Sequence, residues 1–141
     1  MEHSVDPALL PGAALAYMGD AALEVLVRER LLLLGHTNSG KMNKLALSYV
    51  KATEQSKAVE RILPHLTEQE EEIYKRGRNA HGISAPKSAP TGEYRRATGF
   101  EALFGWLYMT RQQERMTALF ELAFPKEDPS IITDHDRTKE E

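Results

Sequence analysis

Asp20 and Glu101 are the two residues of this chain whose type and setting point most directly to chemistry. Each sits inside a short apolar run: Leu15-Ala16-Tyr17-Met18-Gly19-Asp20-Ala21-Ala22-Leu23 in one case, Phe100-Glu101-Ala102-Leu103-Phe104-Gly105-Trp106-Leu107 in the other. A carboxylate is costly to bury unless something pairs it. An acid set among Ala, Gly, Leu and aromatic residues on each of two helices is therefore either neutralised by a cation of the protein or held for one from outside. Arg28 and Arg96 are the internal candidates. The external one would be a hard ion such as Mg²⁺, which takes oxygen ligands and keeps several waters, shared by Asp20 and Glu101 if their helices lie side by side. Glu24, one turn after Asp20, reads as an exposed salt-bridge acid, with a supporting role beside the ion as the alternative.

A second set of residues could handle anions. Between Lys75 and Arg96 there are six basic residues (Lys75, Arg76, Arg78, Lys87, Arg95, Arg96) against one acid, Glu93, a local excess of +5 in a chain of formal net charge −3. Such a patch can collect a polyanion even on an acidic protein. For Lys75 to Arg78 there is a bland reading, cations complementing the dipole at a helix C-terminus. Arg95 and Arg96 have no such excuse. They begin the helix that carries Glu101, where the dipole favours acids, and the misfit points to an anionic ligand, most simply phosphate.

Other motifs carry less. Gly35-His36-Thr37-Asn38-Ser39-Gly40-Lys41-Met42 nearly spells a phosphate-binding loop, but Met42 stands where a hydroxyl must meet Mg²⁺ and the segment follows a helix rather than a strand, so it reads as an interhelical turn. His135-Asp136 lies in a polar tail without metal-site spacing to another His, and the five histidines form no cluster that suits zinc. The acid run Glu68, Glu70, Glu71, Glu72 reads as a solvated helix face whose charge suits a helix N-terminus.

The elements that must position these residues are helical throughout. No stretch alternates apolar and polar residues as a half-buried strand would, so the fold class is all-α. Pro11 and Gly12 introduce a long helix over 13–34, closed by Gly35. Its polar residues Asp20, Glu24 and Arg28 form one stripe, so most of its circumference is expected to be buried. Small residues at Ala13, Ala16, Gly19 and Ala22 would let another helix approach closely. Further helices are predicted over 41–50 and 53–63. After Pro64, the capping box Thr67-Glu68-Gln69-Glu70 opens a short helix ending at Arg76-Gly77. Residues 78–92, with Pro86, Pro90 and Gly82, read as a loop. The last helices are predicted over 93–110 and 112–124. The acidic tail 125–141 has little to bury and is expected to be disordered.

At 141 residues the chain is long enough for one core, read as a domain over 13–124 preceded by a short extension, 1–12. It has no cysteine, which excludes disulfides, thiolate zinc sites and a thiol nucleophile, and fits a reducing, cytoplasmic compartment. The N-terminus lacks the basic and apolar segments of a signal peptide. The longest wholly apolar run, Ala13 to Met18, has six residues, far short of a membrane span.

Read together, these segments resemble Mini-ribonuclease III, the compact branch of the ribonuclease III family. The resemblance runs from about Ala13 to Phe124 and rests on three motifs in order: Leu15-Ala16-Tyr17-Met18-Gly19-Asp20-Ala21, then Lys75-Arg76-Gly77-Arg78-Asn79-Ala80, then Tyr94-Arg95-Arg96-Ala97-Thr98-Gly99-Phe100-Glu101-Ala102-Leu103-Phe104-Gly105. It implies an all-helical endonuclease domain, active as a homodimer, that hydrolyses double-stranded RNA with Mg²⁺ and matures large-subunit (23S) ribosomal RNA precursors. It carries the catalytic, metal-binding acids onto Asp20 and Glu101. Larger members have two further carboxylates, at positions that here are Ala16 and Thr98, so fewer protein oxygens and more water are implied around the metal. They also have a separate double-stranded-RNA-binding domain, for which this chain has no room. A-form RNA is recognised by backbone shape, phosphates and 2′-hydroxyls, which makes Lys75, Arg76, Arg78, Lys87, Arg95 and Arg96 the expected RNA-binding residues. An apolar face of the first helix or of the Phe100–Tyr108 helix would serve the dimer. The alternatives are a non-enzymatic helical module docking RNA or an acidic protein, and a metal-dependent helical nucleotide hydrolase. Against the latter, the inner helices lack dense Glu-x-x-Glu pairs.

Overall fold

A computed structural model of the chain describes residues 5–80 and 91–125, and among these every regular element is helical. The order is α1 (Gly12–Leu33), α2 (Ser39–Val50), α3 (Ala52–Ile62), α4 (Glu68–Arg78), α5 (Thr91–Met109) and α6 (Gln113–Ala123), with single 3₁₀ turns at Pro7–Leu9 and Leu63–His65. The all-α class follows the sequence pattern, and the bounds shift by one or two residues, with physical reasons at several ends. Asn38 caps α2 by accepting from the Lys41 amide at 2.9 Å, which starts that helix at Ser39. Gly35 closes α1 in the left-handed region, φ 98°, with the His36 amide reaching the Leu31 carbonyl and the Gly35 amide the Leu32 carbonyl. That pair of bonds is the Schellman arrangement, and it uses the freedom of glycine.

The organising element is α5. Phe100, Ala102, Leu103, Phe104, Trp106 and Leu107 are all buried, enclosed by α1, α3, α4 and α6. A helix that is apolar all round belongs at the centre of its fold. Burying each large side chain there contributes roughly 1.5–3 kcal/mol. Glu101 is the one ionisable residue in this central stretch.

Two glycines bring α1 and α5 almost backbone to backbone. A Cβ on Gly19 would overlap the Glu101 carbonyl oxygen, and one on Gly105 would overlap the Leu15 carbonyl oxygen. The expected close approach therefore takes place, through Ala16, Gly19 and Ala22, while Ala13 points to solvent. Gly77 does a similar job between α4 and α5, where a Cβ would meet Ala102. It lies inside α4 rather than ending it, which corrects the expected stop at Arg76-Gly77: here glycine is selected by contact, not by chain reversal.

Two further expectations fail. Most of the α1 circumference was expected to be buried, yet Tyr17, Val25, Leu32 and Leu33 are exposed, at 83%, 63%, 56% and 79%. Neighbouring helices cover one side of α1, and none of the described residues covers the other. The acid run of α4 is not a uniformly solvated face: Glu68 and Glu72 are exposed but Glu70 is buried. Arg115 of α6 reaches it through two parallel bonds of 2.8 Å, while the predicted capping box with Thr67 is formed in full.

Arginines also hold the ends of the fold. Arg30 and Arg61 donate to the Phe124 and Ala123 carbonyls at the C-terminus of α6, where the helix dipole favours cations. Of the loop expected over 78–92, residues 81–90 lie outside the described residues, while Arg78 still belongs to α4 and 91–92 already belong to α5; of the tail expected over 125–141, only residue 125 is described.

Candidate active site

Asp20 stands on the middle of α1 and Glu101 on the middle of α5, where the Gly19 crossing leaves no side chain between the two backbones. The two carboxyl groups meet there. Asp20 is exposed and Glu101 half-buried, so the pair sits at the mouth of the crossing rather than inside the core. Burial first, and then the hydrogen bond and negative charge of the facing Asp20, push Glu101 up to about 8 from an ordinary 4.5. Two acids forced together with no cation between them show this signature.

The internal cations that might have neutralised the pair are engaged elsewhere. Arg28 pairs with Glu24 at 2.6 Å, one turn along α1, which also confirms Glu24 as an exposed salt-bridge acid. The Arg96 Nε donates to the Ser56 hydroxyl of α3 at 2.6 Å. Among the described residues no ion pair includes Asp20 or Glu101. What remains is an anionic pair of oxygen donors at a solvent-accessible edge, a donor set that suits a hard divalent cation. No group of three or more His, Cys, Asp or Glu forms among the described residues, so of these side chains the pair alone would face such an ion, with water as a further oxygen ligand. Ala16 and Thr98, flanking the acids by one turn, are both buried, and the Thr98 hydroxyl is turned back onto the Tyr94 carbonyl at 3.0 Å.

The basic residues divide. Arg95, near the start of α5, is exposed, and Arg96 beside it is half-buried and oriented by Ser56. Lys75 pairs with Glu71 at 3.0 Å, and the Arg78 guanidinium lies 5.7 Å from the Tyr74 ring centroid. Arg76 has a different occupation. It donates to the carbonyls of Ala8 and Leu10, and to Glu72 at 3.3 Å, clamping the N-terminal turn to α4. One of its nitrogens is taken by the N-terminal turn and the other faces the exposed Glu72. Lys87 lies outside the described residues. Ser56 is the member of this cluster that sequence reasoning passed over. A lone serine on an amphipathic helix carries no signal of the arginine that will reach it from 40 residues away.

The chain is similar to known proteins. A family model described as the Ribonuclease III domain matches residues 13–112. A Mini-ribonuclease 3 of Symbiobacterium thermophilum is 48% identical over 118 residues, covering 84% of this chain and 91% of the relative. A Mini-ribonuclease 3 of Enterococcus faecalis is 43% identical over 119 residues, covering 83% and 90%. Among solved structures, a Fusobacterium nucleatum protein superposes with a TM-score of 0.75 at 30% identity, covering 83% of this chain and 90% of that one.

Proposed function

The chain belongs to the ribonuclease III domain family, among the Mini-ribonuclease 3 proteins, and on that premise we propose that it is an endoribonuclease cutting double-stranded RNA at the Asp20–Glu101 pair. The observation that carries this reading is the meeting of two carboxyl groups from remote segments, one of them held above its ordinary range, with no ion pair to either among the described residues. Asp20 and Glu101 would hold Mg²⁺, which when bound supplies the Lewis acid for hydrolysis of a phosphodiester to a 5′-phosphate and a 3′-hydroxyl. The chain's own residues do the rest. The α1–α5 crossing fixes the two oxygen donors relative to each other, because glycine contacts leave neither helix room to slide. Arg95 and Arg96 offer donors to the RNA backbone from the first turns of the helix that carries Glu101, and Lys75, Arg78 and Lys87 extend the same role. Arg76 contributes through the fold, by fixing α4 against the N-terminal turn.

A duplex has two strands related by two-fold symmetry, and a two-fold dimer presents two sites in the same relation. Of the two faces expected to serve a second copy, the Phe100–Tyr108 face is consumed by the core, while Tyr17, Val25, Leu32 and Leu33 of α1 stay open. The Glu24–Arg28 pair lies on that open face. A second copy is the occupant we assign to this apolar face, since large apolar side chains left open on one helix suit burial against the same helix of another copy. The cellular substrate we assign, the ends of 23S ribosomal RNA precursors in the cytoplasm, is supported by the family resemblance. No helix among the described residues is long and apolar enough to cross a membrane.

The test is direct. Purified protein incubated with a long RNA duplex and Mg²⁺ should yield fragments bearing 5′-phosphates, and EDTA should stop the reaction. Binding of the duplex without cleavage under any divalent metal would leave a docking module in place of the enzyme.

A further inference from the structure

A row of lysines on α2 lies outside everything assigned so far. Lys41, Lys44 and Lys51 are spaced by three and seven residues, with Ser48 between, so they form a single stripe along one face of the helix and its C-cap. All three lysines are exposed. Ser39–Val50 contains no acid, and none of the three lysines joins an ion pair among the described residues. Lys57 of α3, by contrast, is neutralised by Glu54 at 3.2 Å. Three uncompensated cations in a row stand out on a chain whose formal net charge is −3. Lys41 in the first turn of α2 also opposes the helix dipole, which favours acids there.

The stripe leads along the chain toward the helix that orients Arg96. Lys51 closes α2 and is also the N-cap of α3. Five residues further, Ser56 of α3 accepts from Arg96 of α5, and Arg96 precedes Glu101 by five residues. From Lys41 to Lys51 the stripe spans roughly 15 Å at the helical rise per residue. A charged row of that length suits a rigid polyanion rather than a small anion. A one-domain protein that grips a duplex must find its phosphate contacts on its own surface, since these contacts dominate affinity.

We propose that Lys41, Lys44 and Lys51 form a second phosphate-contacting surface for the RNA duplex, carrying an arm of the substrate away from the Arg95–Arg96 end of α5. The proposal rests on the reading of the protein as a double-strand ribonuclease. It is tested by the salt dependence of kcat/KM for cleavage of a long RNA duplex in Mg²⁺. Replacing all three lysines by Ala should reduce the slope of log kcat/KM against log salt by roughly two to three, at about one phosphate contact per lysine. The loss should fall on KM. The matching replacement of all three by Arg should restore the slope, which a disturbed fold would not allow. If the wild-type protein cuts the duplex and the Ala variant keeps its slope, this surface is wrong while the enzyme reading stands. If the wild-type protein cuts no duplex, both fall together.

Discussion

Glu70 and Glu101 are both glutamates drawn out of water on helices of one small core, and their carboxyl groups are perturbed in opposite directions. Burial alone would raise Glu70, but hydrogen bonds from Arg115 and the Thr67 backbone, with the charge of Arg115, outweigh it and hold the group below its ordinary range. Glu101 is raised by the same burial and raised further by Asp20, which faces it with a like charge. Folding brings Glu70 a cation, and among the described residues it brings Glu101 another acid. A carboxylate whose partners all come from its own chain is part of the architecture. One whose neighbour is another carboxylate is held above its ordinary range in the ligand-free protein, the pattern that the proposed metal site would relieve.

Substitutions should separate the two acids cleanly. The largest effect is expected at the Asp20–Glu101 pair. Asp20→Asn should keep the fold and lower single-turnover cleavage on the order of 10³-fold, as a loss of ~4 kcal/mol of transition-state stabilisation requires. Near wild-type turnover would remove Asp20 from the chemistry. At Glu70 the damage should be to stability instead. Arg115→Ala leaves a buried carboxylate short of two charged hydrogen bonds, and the urea midpoint should report a loss of about 2 kcal/mol.

The two acids should also respond oppositely to pH. The folded Glu101 group titrates near 8 against 4.5 ordinarily, so the folded state binds the extra proton and metal-free stability should fall as pH rises from about 4.5 to about 8. Glu101→Gln should relieve this, making the variant more stable than wild type in EDTA at pH 9 and close to it at pH 4. An equal difference at both pH values would mean that the like-charge contact does not form in solution. Glu70 works in the other sense. Its lowered pKa contributes stability that is present above about 4.5 and lost as pH falls through the folded value, so Glu70→Gln should cost less in acid than at neutral pH. The smallest effect is expected from Arg95→Ala, which should reduce the salt slope of cleavage by roughly one, the signature of a single phosphate contact.

Sequence alone determined much of this protein: the all-helical class, the order of the elements, the capping box at Thr67, the glycine stop at Gly35, and the singling out of Asp20 and Glu101 as acids in apolar company. These are local properties, set by periodicity, caps and the cost of placing charge among apolar residues, and they can be read a few residues at a time. What only the tertiary structure decided is partnership. That Arg115 finds Glu70 across 45 residues, that Arg76 turns inward to the N-terminal turn, that Ser56 orients Arg96 and that Gly77 is a contact rather than a stop all depend on which helices touch. So does the meeting of Asp20 with Glu101, because a side chain's ionic state is set by the nearest charge in space and the chain order does not record that distance.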